Sequence, residues 1–134
     1  MYKLIVLLEV IRARAKDLHY ILKGHSFYGN HLLADRVQED LGDFIDQIKE
    51  TYFMARQLDI PRNEKIYADV VKELDNMKEY SILELAEKVK LTIYFIETML
   101  RDTETPFTAG DNDLIGRISS NLQTSYALLS HVSE

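Results

Sequence analysis

Apolar residues fall at Leu4, Leu8, Ile11, Ala15, Leu18 and Leu22, steps of four and three that mark one face of an α-helix. Gly24 supplies a stop. Ser26 is placed to cap a second helix whose inward stripe is Leu33, Val37, Leu41, Phe44, Ile48, Tyr52 and Ala55, with Pro61 ending it. The stretch 62–80 is charged, yet Ile66, Val70, Leu74 and Met77 keep a helical interval and predict a short helix. Ser81-Ile82-Leu83-Glu84 reads as a capping box opening a third long helix through Leu85, Val89, Ile93, Ile96 and Leu100. Pro106 and Gly110 interrupt the pattern. Asp111 or Asp113 then caps a last helix packed through Ile115, Ile118, Leu122, Tyr126 and Leu129. No strand-type alternation lasts and no repeat is visible. The expected fold is all-α: an antiparallel four-helix bundle with a short extra helix between the second and third long helices, in one domain spanning 1–134.

Composition changes this picture little. With 46% hydrophobic and 28% charged residues, five Gly and two Pro, the chain can build one ordinary core and is neither collagen-like nor disordered. A net charge of −6, with no compensating basic cluster, gives no electrostatic footprint for a phosphate backbone, so DNA is not an expected partner. The absence of Cys excludes a disulfide framework. The apolar run Leu4 to Leu8 is broken by Glu9, Arg12 and Arg14, well short of the roughly 18 residues that cross a bilayer. No small-residue cleavage site follows an apolar core, so the expected location is cytoplasmic, with no membrane partner.

The chemistry concentrates in His19, His31, Asp35, Asp46 and Glu50, two imidazoles and three carboxylates. Nitrogen and carboxylate donors without thiolate suit iron, Fe(II) before oxidation and Fe(III) after it. On a wheel of about 100° per residue, the four on the second helix share an arc of roughly 100° opposite the apolar stripe. Core packing therefore turns them outward, either to water, as for Glu39, Asp43 and Lys49 nearby, or to another molecule. The His31/Asp35 and Asp46/Glu50 pairs lie roughly 22 Å apart at 1.5 Å per residue, whereas metal bonds are about 2 Å long. One ion cannot touch both pairs of one chain. His31 and Glu50 are, however, equidistant from a centre between Asp40 and Leu41, as are Asp35 and Asp46. A second copy crossing antiparallel on a two-fold axis would set histidines against acids at both ends. Gly42, near that centre, offers no side chain to hold the crossing helices apart. His19 and His31 are each six residues from His25, so a hairpin turning there sets them level.

Leu18-His19-Tyr20, Gly24, Phe27, His31, Asp35, Asp46 and Glu50 together resemble the ferroxidase signature of the Dps-like mini-ferritins, and all five ligand positions match its spacing. The resemblance covers roughly residues 15 to 55. It implies a ferritin-like subunit with a short helix between its second and third long helices, assembled as a homo-oligomer from a two-fold dimer up to a hollow dodecamer. It also implies iron sites at the two-fold interfaces, where Fe(II) is oxidised by peroxide or oxygen and ferric mineral is stored inside the shell. Tyr20 stands where that family usually has Trp, and Gly110-Asp111-Asn112-Asp113 loosely resembles the acidic entry of its iron pores. Many members bind DNA through a Lys-rich tail ahead of the first helix, whereas here the helix pattern starts almost at Met1. The alternative expectation is a ferritin-like helical oligomer with a DNA-protecting or purely structural role and no ferroxidase activity.

Overall fold

The computed structural model describes residues 1–24, 27–102 and 106–132, and they form helices joined by turns and short connections, with no strand among them. The elements are α1 (Tyr2–Ile21), α2 (Phe27–Glu39), α3 (Leu41–Ile48), a π-helical segment (Lys49–Met54), α4 (Asn63–Leu74), α5 (Ile82–Arg101) and α6 (Ala109–Ser130). Among the described residues no helix is long and apolar enough to cross a membrane.

Side-chain pairs fix the directions. His19 lies beside His31 and Arg12 beside Gly42, so α1 runs antiparallel to α2 and α3. Asn121 donates to Asp40 at 3.4 Å, Arg117 to Gln47 at 3.1 Å and Arg56 to Asp111 at 3.3 Å, so α6 runs antiparallel to the same rod. Arg14 meets Glu84 at 3.2 Å, while Glu73 takes Lys3 on one oxygen and Lys88 on the other, which sets α5 antiparallel to α1. Consequently α2–α3 and α5 point the same way, and the chain between them must travel back along the bundle. α4 forms part of that crossover and packs across α1 through Ile66 and Val70. This accounts for a run that one amphipathic stripe cannot: Leu4, Ile5, Val6, Leu7 and Leu8 are all buried, because α1 is covered on more than one side.

The expected continuous second helix is three pieces. Asp40, at φ −92° and ψ −8°, separates α2 from α3 yet keeps the chain turning right-handed, with the Phe44 N–H on its carbonyl at 3.1 Å. From Lys49 the turn widens, and the Ala55 N–H reaches back five residues to the Glu50 carbonyl at 3.1 Å. Burial therefore steps from Ile48 to Phe53, leaving Phe44 and Tyr52 half-buried and Ala55 exposed. The segment closes before Pro61: Gln57 takes φ +57° and the Leu58 N–H bonds the Phe53 carbonyl at 2.9 Å.

Caps differ in detail. Gly24 adopts φ +104°, the left-handed conformation that a stop requires, whereas Ser26 and His25 lie outside the described residues. Ser81 caps α5 by accepting the Glu84 N–H at 3.0 Å, and the Glu84 carboxylate takes the N–H groups of Glu79 and Tyr80. The cap of α6 is Thr108 rather than Asp111 or Asp113. Thr108 accepts from the Asp111 N–H at 3.1 Å, and Asp111 reciprocates on the Thr108 N–H at 2.9 Å.

Candidate functional site

The α1–α2 hairpin brings two of the five sequence candidates into contact. The imidazoles of His19 and His31 stack with centroids 3.5 Å apart and planes at 17°. Each ring gives its Nδ1 proton to the other's backbone: His19 to the His31 carbonyl at 2.8 Å, and His31 to the His19 carbonyl. A carbonyl can only accept, so each Nδ1 is the protonated nitrogen and the neutral ring carries its lone pair on Nε2. A carbonyl fixing one nitrogen while the other is presented as a donor is the arrangement that metal-binding histidines use. The His19 carbonyl belongs to the last turn of α1, which leaves such groups without helical partners, so His31 also closes that helix end.

Stacking restricts what the pair can hold. Imidazole lone pairs lie in the ring plane, and nearly parallel planes 3.5 Å apart share no point about 2 Å from both nitrogens. The pair therefore cannot act as a chelate for one ion.

The three carboxylates lie elsewhere on the same rod. Asp35, one turn beyond His31, is exposed and accepts from Gln38 at 3.0 Å. Asp46 is exposed at the end of α3, and Glu50 is exposed in the π-helical segment. No three or more His, Asp or Glu among the described residues are grouped to hold a metal ion within one chain. The donor types fit iron, but their placement completes a site only if a second molecule supplies the missing half.

Gly42 lies at an intrachain seam. Its face is turned to α1, where the Arg12 guanidinium lies 3.6 Å from the position a Cβ would take. A methyl group fits there in ordinary contact, so nothing within the chain itself requires a glycine at this seam between α1 and α3. Asp111, read from sequence as a cap or pore acid, is fully buried against Arg56 and cannot line a pore. Burial pushes its carboxyl up, but the Arg56 guanidinium and the Thr108 N–H and hydroxyl outweigh this and hold it below the ordinary aspartate value. Asp113 is exposed and accepts from Arg117 at 3.1 Å.

The sequence signature already includes Tyr20, but spacing alone gives little sign of the rest of the apolar surroundings of the stripe. Tyr20 (77% exposed), Tyr28 (71%) and Leu32 surround the histidine end, and the Tyr20 ring stands edge-on to His19 at 4.7 Å. Met54, Leu58, Ile60 and Tyr67 are exposed toward the acidic end. Their signal in the sequence is faint, because each falls between stripe positions and reads as an isolated surface apolar residue. Comparison with known proteins finds no family model, curated protein or solved structure that matches the chain.

Proposed function

We propose that the chain is a Dps-like, ferritin-like ferroxidase subunit that takes Fe(II) as substrate at a site shared between two copies, and that the oxidised iron is stored as ferric mineral in an oligomeric shell. One observation carries the reading: the stacked His19/His31 pair, with both Nδ1 protons committed to carbonyls and both lone pairs on Nε2. The crossover topology supports it, since a bundle with one long return between its second and third helices is the ferritin-like connection. Apolar side chains exposed at both ends of the stripe support pairing, because such surface on a soluble protein favours burial against a partner.

In this reading a second copy crosses antiparallel, and Asp46 and Glu50 of each molecule face His19 and His31 of the other, with Asp35 at the junction. Two imidazoles that cannot share an ion suit two irons. Each Fe(II) gives one electron to hydrogen peroxide, the O–O bond breaks, and two hydroxides and two Fe(III) result. The carboxylates stabilise the harder Fe(III) product and the imidazoles hold the ion without neutralising it. Dioxygen is the other available oxidant.

Anaerobic Fe(II) loading followed by peroxide, read by ferric absorbance, tests this. The chain should oxidise iron faster than buffer, and His31→Ala and Glu50→Ala should each fall to the buffer rate. Wild-type kinetics in both variants, or a monomer at micromolar concentration with iron supplied, would overturn the proposal.

A further inference from the structure

Asp46 does not stand alone on its surface. It lines a cleft of about 250 Å³ between α1, α3 and α4, together with Glu9, Arg12, Lys49, Asn63 and Tyr67. Two acids and two bases balance there. Arg12 leans across Gly42 and pairs loosely with Glu9 at 3.5 Å, so its charge is neither buried nor cancelled by a tight bidentate bond. Lys49 follows Asp46 by three residues and opens the π-helical segment that carries Glu50. The acidic half of the proposed iron site thus has cations built into its wall.

Resting on the reading above, we propose that Arg12 and Lys49 set an affinity threshold at the acidic arm, repelling divalent ions that the carboxylates alone would hold. Fixed positive charge penalises every divalent cation alike, so it leaves the ratio of affinities untouched. It moves the whole scale. Mg²⁺ and Ca²⁺ bind through oxygen donors and gain nothing from imidazole, so the penalty takes them below occupancy at millimolar concentration. Fe(II) recovers the loss from the nitrogen donors of the second copy. An isolated acidic arm then stays metal-free, and capture depends on assembly.

The test is calorimetric titration of MgCl₂ at low ionic strength into the wild type, Lys49→Gln and the Arg12→Gln/Lys49→Gln double variant, beside anaerobic Fe(II) titrations of the same proteins and of His31→Ala. Each charge removed should tighten Mg²⁺ binding about three- to tenfold. Iron oxidation by the double variant should become sensitive to millimolar Mg²⁺, while Lys49→Arg behaves as wild type. Circular dichroism melts confirm that the variants are folded. Unchanged Mg²⁺ affinity in a folded double variant, with Fe(II) binding still lost in His31→Ala, overturns the threshold role and leaves the shared site standing. Tighter Mg²⁺ binding with Fe(II) affinity indifferent to His31 overturns both.

Discussion

Arg56 and Asp111 join the end of the π-helical segment to the first turn of α6, the guanidinium spanning both carboxylate oxygens while lying 4.2 Å over the Tyr52 ring. The acid is fully buried and simultaneously serves the Thr108 cap, so one side chain secures both a helix start and a tertiary contact. Asp111→Asn keeps the shape but removes the charge, and should cost about 2–3 kcal/mol in urea denaturation at neutral pH.

The same residue sets an acid limit. Asp111 is held below its ordinary value, and Glu73 likewise, by hydrogen bonds from Lys3 and Lys88 that outweigh its partial burial. A depressed folded value gives stability that is present above the ordinary carboxyl range and is lost as pH falls through the folded value. The urea midpoint should therefore decline below about pH 4, and Asp111→Asn should flatten that decline. At the alkaline end Tyr2 is raised to about 12 by burial and by its bond to Asp69. Its contribution is intact below the ordinary tyrosine value near 10 and falls as pH rises toward 12, so Tyr2→Phe should blunt the alkaline loss.

Arg14 is a buried cation on the opposite seam. It is 2% exposed, donates to the Met77 carbonyl at 2.6 Å and lies 4.0 Å from the centre of the Tyr80 ring, where the backbone takes φ +50°. Together with Glu84 it holds the connection between α4 and α5. Arg14→Ala should destabilise by about 3–5 kcal/mol and expose residues 75–81 to limited proteolysis, whereas Arg14→Met, which refills the volume, should cost less.

Two glycines separate conformation from space. A Cβ at Gly24 or at Gly116 would meet nothing within 4 Å, but Gly24 has φ +104° and Gly116 is helical. Gly24→Ala should lower stability by about 1 kcal/mol and Gly116→Ala raise it by about 0.5–1 kcal/mol in the same denaturation experiment.

Periodicity located the helices because burial of a stripe is what makes a short helix persist, and Ile66 and Val70 emerge on α4 as their spacing required. The level placement of His19 and His31 was legible for a similar reason: an antiparallel hairpin pairs residues equidistant from its turn. The break at Asp40 and the widened turn from Lys49 were not legible, since a 3.6-residue template cannot register a step of five from Ile48 to Phe53. Stacking of the imidazoles was hidden as well. It depends on two carbonyl bonds whose acceptors carry no side-chain signature.

Those reciprocal bonds tie the orientation of each ring to the backbone of the opposite helix. A ligand that draws either imidazole aside must also strain or release the carbonyl it holds, so occupancy at the rings is felt as slack or tension where the first two helices meet. Amide exchange near that tip would serve as a mechanical gauge of what the histidines have bound.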